Sequence, residues 1–388
     1  MRIAIDYTAA IRQGAGIGSY VRNLVAAMLV QDPNTQYKLL TSGRPTQERP
    51  FPTADNVVGR SISIPDRYLN ILWYRWRTPL LPATLFSGPV DIYHNPDFTL
   101  PPLGKKVRKV VTIHDIAFLE HPEYAVPSLA AYLKKVVPEA VAAADVVATV
   151  SHEVSRTLID HFQTPREKLT VIPNGVGTNF RRITDSILLS ATRHKYGLKS
   201  PFVLAVGTLE PRKNHIGLIK AFSKAQKKRN GPAILAIAGG QGWLYEQTKQ
   251  VIADLKLDNK VRFLGRVSDL ELITLYSMAD IFAFPSFFEG FGVPPIEAMA
   301  CGAPVITSNT SALPEVVGDA ALLVDPYDTD ALADAITRLV ENEQLREELR
   351  RKGYLRAQQF TWATSARKML MVYQKLYNGE KNFNYEDK

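Results

Sequence analysis

Short runs of Val, Ile, Leu and Ala alternate with longer amphipathic segments along almost the whole chain. Before residue 180 the apolar runs are RIAIDY, YKLLTS, VDIYH, KVVTIHD, DVVATVS and KLTVIPNG. After residue 200 a second series follows: PFVLAVGTLEP, AILAIAGG, VRFLGR, DIFAFPS, PVITS and AALLVD. Runs this short, separated by helix-length stretches, predict βαβ units built on parallel sheets. Between the two series, RRITDSILLSATRHKYGLKS carries no strand run. The pattern therefore predicts an α/β protein of two Rossmann-like domains, residues 1–182 and 201–360, joined by a linker at 183–200. The C-terminal stretch is helical in composition with a break around Phe360 and Thr361. A final helix at about 361–377 is expected, packed on its own domain or returned to the first, and the polar end NGEKNFNYEDK is expected to fray.

In open α/β sheets, ligands bind beyond the carboxyl ends of the strands. Two such domains face to face would gather those ends around one central cleft, which directs attention to the loops after each strand run. The loop after DIFAFPS reads FFEGFGVPPIEAMACG, with Glu289 and Glu297 eight positions apart. Pro295 suits a first helical position, with Pro294 forced toward an extended conformation, and Gly302 suits the far end of the helix. The amides of Phe291, Gly292 and Val293 are left to meet an anion near the helix start. Carboxylates facing that anion would repel it, so the two glutamates should face hydroxyls, one those of a ribose and the other those of a hexose. Either glutamate alone is better explained as a surface or helix-dipole residue. The combined pattern at a strand-to-helix junction is much more specific.

The loop VGTLEPRKNH places Gly207, Arg212 and Lys213 after the first strand of the second series, where cations can neutralise a diphosphate leaving group. RQGAGIGSYVRNL, containing Gly16, has Gly-x-Gly-x-Gly spacing and no acidic residue at the distance a dinucleotide fingerprint needs, which argues against a nicotinamide or flavin dehydrogenase. His114 and Asp115 end KVVTIHD; His114 is a candidate to bond a sugar hydroxyl or the acceptor, against the ordinary reading as a structural histidine. The DTD at 328–330 reads as a helix cap rather than a metal motif, and no cluster has metal-ligand spacing, so no metal and no cofactor is expected.

Composition narrows the class. A length of 388 residues suits two domains, and 46% hydrophobic with 22% charged residues suits a globular enzyme. The single Cys301 permits no internal disulfide, in keeping with a reducing compartment. MRIAIDY is too short for a signal segment and no run reaches 18 uninterrupted apolar residues, so a cytoplasmic protein is expected. The formal net charge of +9 suits a mildly basic enzyme of phosphorylated small molecules better than a nucleic-acid binder, because no recognition motif accompanies it. RYLNILWYRWRTPLL, residues 67–81, is a candidate for peripheral contact with an anionic membrane at its inner face. The preferred reading is a core-packed helix with snorkelling arginines.

Taken together, Glu289 through Glu297, GTLEPRKN, IPNGV, HDI and GIGSY resemble the family 4 retaining glycosyltransferases of GT-B fold, and most of all the bacterial polysaccharide mannosyltransferases. The resemblance implies transfer of a hexose, mannose from GDP-mannose first, to a hydroxyl of a glycan or lipid-linked acceptor. It implies that Glu297 holds the ribose, Glu289 the hexose, and the amides of Phe291, Gly292 and Val293 the sugar and diphosphate. Arg212 and Lys213 would hold the diphosphate, Gly16 would line the phosphates, and His114 would lie beside the donor sugar and acceptor, with residues 1–182 as the acceptor-side domain and 201–360 as the nucleotide-sugar donor domain. Thr208 stands where some members carry a further arginine, which shifts weight to Arg212. The alternatives are a UDP-sugar transferase, an epimerase or phosphorylase of the same fold, and a basic nucleic-acid-binding scaffold.

Overall fold

The computed structural model describes residues 1–14, 16–65, 68, 69, 71–75, 82–228, 230–242 and 245–383. The chain divides into two compact units, Met1–Gly175 with Trp362–Lys388, and Val176–Thr361.

The first unit holds seven strands: β1 (Arg2–Asp6), β2 (Gln36–Ser42), β3 (Val57–Ile62), β4 (Ile92–Asn95), β5 (Arg108–Ile113), β6 (Val146–Thr149) and β7 (Leu169–Val171). Their order is β3-β2-β1-β4-β5-β6-β7, with every neighbouring pair parallel. The central strands are buried along most of their length because helices cover both faces of a parallel sheet. Ile3, Ile5, Tyr37 and Tyr93 are fully buried, as are Leu24 and Met28 of the helix Ile17–Gln31. The edge strand β3 is exposed along most of its length and lacks such a run.

The second unit holds β8 (Phe202–Val206), β9 (Ile234–Ala238), β10 (Val261–Gly265), β11 (Ile281–Phe284), β12 (Val305–Ser308) and β13 (Ala321–Val324), ordered β10-β9-β8-β11-β12-β13 and again parallel. Its core joins Val203, Leu235 and Ile281 to Leu218 and Phe222 of the helix His215–Gln226 and Ile336 of the helix Thr329–Glu341.

Where the sequence pattern suggests a linker at 183–200, the structure has a helix, Ser186–Tyr196, inside the second unit. Asp185 caps it through bonds from Ile187 N (2.9 Å) and Leu188 N (3.1 Å), and Gly197 ends it in the left-handed region. Tyr196 and Lys195 tie it to Glu271, so this segment packs instead of bridging, and the change of unit falls at Gly175 and Val176. The last helix, Trp362–Tyr377, belongs to the first unit. Ala363 O accepts from Gln31 Nε2 at 2.8 Å, and the Tyr373 hydroxyl meets His94 Nδ1 at 2.6 Å.

No helix among the described residues is long and apolar enough to cross a membrane. Arg67, Trp76 and Arg77, on which the membrane reading of 67–81 leans, lie outside the described residues; Leu69, Trp73 and Tyr74 within it are buried.

Candidate active site

In the second unit, β8 runs into Gly207 at φ +152°, a conformation side chains rarely adopt, with the Lys213 stem in ordinary contact range at 3.4 Å. A tight turn at Pro211–Lys213 then presents Arg212 and Lys213. Asn214, left-handed at φ +52°, accepts from Gly217 N at 3.2 Å and donates to Pro326 O at 2.7 Å, which pins the turn to the start of the helix His215–Gln226. The loop after β11 is fastened to this turn by Phe287 N donating to Arg212 O at 2.9 Å.

That fastening brings Glu289 between the two cations. Its Oε1 accepts from Lys213 Nζ at 2.6 Å and its Oε2 from Arg212 Nη1 at 2.7 Å. Arg212 also donates to Phe288 O (3.1 Å) and to Glu210 Oε1 (3.0 Å), and the Lys213 ammonium lies 4.8 Å from the centre of the Phe284 ring. Glu289 is only 7% exposed and its backbone is anchored by Ser311 Oγ, which accepts from Glu289 N at 3.0 Å. Burial pushes the Glu289 carboxyl up, but Arg212 and Lys213 together outweigh it and hold the group below its ordinary range. Burial and the neighbouring Arg212 pull the Lys213 ammonium down, against Glu289. The result is a buried, ionised carboxylate bracketed by two cations. An ammonium has three donors and a carboxylate oxygen more than one acceptor site, so the pairing leaves capacity for an anion and for a hydroxyl.

The helix Val293–Ala300 starts two residues earlier than Pro295 suggests, and both prolines lie in its first turn, where helical N–H groups have no intrahelical partner. Gly292 precedes it at φ +95°; a side chain there would strike Leu313 Cδ2 at 2.6 Å. Gly292 offers no capping side chain, and because Pro294 and Pro295 lack an N–H, the helix start has the amides of Val293 and Ile296 to present to a ligand. Phe291 turns its ring edge toward Phe360 at 5.5 Å and Val293 is half-buried, so Phe291 can serve a ligand only through its backbone.

Glu297 sits on this helix in different company. Its Oε2 accepts from the Tyr276 hydroxyl at 3.3 Å. Burial pushes its carboxyl up to about 7, the Tyr276 bond opposes this, and Asp269 adds to it.

The remaining nominated residues lie in the first unit. Gly16, at φ +59°, leads into the helix Ile17–Gln31, and Arg22 braces the preceding loop by donating to Gln13 O (2.7 Å) and Gly14 O (2.8 Å). His114 Nε2–H donates to Pro96 O at 2.8 Å, and the ring stands edge-on to Tyr20 at 4.7 Å. Burial lowers its pKa, which leaves a neutral ring with Nδ1 as the acceptor. Asp115 caps a turn through Ala117 N at 3.1 Å, and Asp328 caps the helix Thr329–Glu341. His94 is fully committed to Tyr373 and to Thr112 (2.8 Å) and is structural.

The structure thus brings Arg212, Lys213, Glu289 and Gly207 together, and sets Glu297 apart on the adjoining helix. Sequence reasoning missed Glu210, Ser311 and Tyr276. Glu210, two residues before Arg212, offered a signal as a charge next to a nominated cation. Ser311 and Tyr276 reach the site only through folding. Among the described residues no group of three or more His, Cys, Asp or Glu is arranged to hold a metal ion.

A family model described as Glycosyltransferase Family 4 matches residues 14–180, and one described as Glycosyl transferases group 1 matches residues 191–356. The O-antigen chain mannosyltransferase B of Escherichia coli is 32% identical over 369 residues, 93% of this chain and 96% of the relative. The O-antigen chain mannosyltransferase RfbU of Salmonella typhimurium is 31% identical, covering 77% and 78% of the two chains. Among solved structures, the sucrose-phosphate synthase of Thermosynechococcus elongatus superposes with a TM-score of 0.76 at 20% identity, over 98% of this chain and 100% of that one.

Proposed function

The chain belongs to the family 4, group 1 glycosyltransferases and has the GT-B fold, and from that membership we propose that it moves mannose from GDP-mannose to a hydroxyl of a glycan or lipid-linked acceptor, with retention. The observation that carries this reading is the Glu289 carboxylate bracketed by Arg212 and Lys213 at a strand's carboxyl end, beside an uncapped helix start. Mannose is supported by the two O-antigen mannosyltransferase relatives.

In this reading the acceptor oxygen attacks C1 of the sugar from the leaving group's side. The C1–O bond to the diphosphate breaks, its electron pair stays on the phosphate oxygen, and the acceptor proton passes to that same diphosphate. Arg212, Lys213 and the N–H groups of Gly292 and Val293 offset the growing negative charge. Glu289 orients the hexose by accepting from its hydroxyls while keeping the two cations in place. Glu297 accepts from the ribose, Gly16 lets the phosphates approach the backbone, and neutral His114 accepts a sugar hydroxyl through Nδ1. No metal takes part. A lipid-linked acceptor would add a peripheral contact with an anionic membrane, which cosedimentation with anionic vesicles checks.

The experiment is product analysis with GDP-mannose and UDP-sugars, with and without EDTA, following the anomeric signal of the product by NMR. Saturable, EDTA-resistant turnover of GDP-mannose to an α-linked product is expected. Turnover of a UDP-sugar alone would overturn the donor, and loss of activity on chelation restored by Mg²⁺ would overturn the metal-free scheme.

A further inference from the structure

The Arg212 guanidinium is shared between two carboxylates in unlike settings. Nη1 donates to Glu289 Oε2 at 2.7 Å and to Phe288 O at 3.1 Å, whereas Nη2 donates to Glu210 Oε1 at 3.0 Å. The Glu289 side chain is 9% exposed, and Lys213 holds its other oxygen at 2.6 Å. Glu210 is held more loosely. Its side chain is 28% exposed, and Arg212 is the one residue its carboxylate bonds among the described residues. The backbone beneath it is fixed: Glu210 N donates to Thr208 O at 2.8 Å, and Glu210 O accepts from Lys213 N at 3.1 Å. The carboxylate can therefore leave Nη2 by rotation of its own side chain, with the turn that carries both cations unmoved.

Within this turn Arg212 and Lys213 face Glu210 and Glu289, two charges of each sign, and the field of Glu210 reaches Lys213 as well. A diphosphate brought here has the sign of the carboxylates. To use the Nη2 arm it must compete with the group already bonded there. The two carboxylates differ in how readily they yield. Taking Glu289 away would unpair a buried charge, while Glu210 breaks a partly exposed pair and turns into water. Only the second exchange is easy.

We propose that Glu210 is a displaceable counter-ion: it leaves Arg212 Nη2 when a nucleoside diphosphate group binds and returns as the nucleoside diphosphate product departs, which loosens the hold on that product and quickens its release. No covalent bond changes; one anion replaces another on the same guanidinium. That Arg212 and Lys213 receive the diphosphate rests on the transferase reading above.

Calorimetric titration of GDP, UDP and inorganic pyrophosphate into the parent, Glu210→Gln, Glu210→Ala and Lys213→Ala tests this, with guanosine and uridine as uncharged controls. Both Glu210 variants are expected to bind a nucleoside diphosphate about fivefold or more tighter than the parent, and to lose part of that gain between about 0.05 M and about 0.3 M NaCl as the charge is screened. Stopped-flow displacement of the bound diphosphate should show the gain as a slower departure. Guanosine and uridine should bind alike in parent and variants. A carboxylate that merely steadied Arg212 would give the opposite sign: weaker binding in Glu210→Ala, relieved in Glu210→Gln, which can still accept from Nη2. That result, unchanged affinity in both variants, or an equal gain for the uncharged nucleosides would overturn the proposal. Diphosphate binding that is weakened by Lys213→Ala yet not tightened by either Glu210 variant would overturn it and leave the transferase reading standing. Absence of diphosphate binding would overturn both. Tightening in both Glu210 variants, with no turnover of any nucleotide sugar, would uphold the counter-ion and overturn the transferase reading instead.

Discussion

Glu289 and Glu297, eight residues apart, lie buried and half-buried in the second unit and meet opposite electrostatic surroundings there. Around Glu289, the turn after β8 delivers two cations within 2.7 Å, and the carboxyl is held ionised despite its burial. Around Glu297 the partner is a neutral phenol at 3.3 Å with Asp269 in the background, and burial prevails, lifting the carboxyl to about 7. Desolvation disfavours both anions, and only nearby positive charge reverses the outcome. The lesson is one of division of labour. Glu289 is a permanent charge whose first task is to hold Arg212 and Lys213, whereas Glu297 is an acceptor whose strength depends on pH.

Removing the carboxylate charge from the first region should have the largest effect. Glu289→Gln leaves Lys213 without its anion and Arg212 with Glu210 alone, and breaking a buried pair from one side costs about 3–5 kcal/mol. The unfolding temperature should fall, and GDP should raise it more in the variant than in the parent, because a phosphate can replace the missing anion. Thermal unfolding with and without GDP tests this; an unchanged melting temperature would show that the triad is not coupled.

Lys213→Ala comes next. The ammonium is asked to stabilise charge that grows on the diphosphate, so kcat should drop by about 10²–10³ while donor KM changes much less. Steady-state kinetics at varied donor decide it, and a change confined to KM would make Lys213 a binding group only.

For Glu297→Gln, the donor KM should rise by the equivalent of about 1.5–3 kcal/mol, with a smaller effect on kcat. Stability should move the other way. A carboxyl whose pKa is raised from 4.5 in the unfolded chain to about 7 keeps its proton longer in the folded state, so the parent protein loses stability as pH rises from about 4.5 to about 7. The loss is at most about 3 kcal/mol. The glutamine variant lacks that slope and should be the more stable of the two at pH 8. Denaturant midpoints at pH 5 and pH 8 measure the difference, and parallel pH profiles would contradict it.

Tyr276→Phe should have the smallest effect. It removes one hydrogen bond to the ionised form of Glu297, worth about 0.5–1.5 kcal/mol, and should move the pH at which donor KM improves to a higher value. A KM profile that keeps its position would mean that the phenol packs beside Glu297 without influencing it.

Much of this architecture was legible before folding. ILAIA is buried along its whole length as β9 and FVLAV at all but its last residue as β8, and Asp328 caps its helix as its sequence suggests. The strand β3, VVGRSI, escaped notice because an exposed edge strand needs no apolar run. The helix at 186–196 was overlooked although Asp185 and Gly197 mark its ends, since a search for strands passes over a short, largely polar helix. The loop around Glu289 could be picked out because glycines and prolines impose local backbone demands. The bracketing of Glu289 could not, because Arg212 lies 77 positions away and only the parallel pairing of β8 with β11 places the two loops side by side.

The sequence by itself determined where strands end and which loops carry charge, because hydrophobic period and turn chemistry act over a few residues. Tertiary structure alone decided that one glutamate stays ionised while the other resists ionisation. It also decided that Asp6, Asp97 and the rings of Trp73, Tyr74, Tyr93, Phe98 and Tyr132, scattered over more than a hundred residues, wall one pocket. Both outcomes depend on what the packed chain places within a few ångströms of a carboxylate, and that distance is set by strand order and loop anchoring.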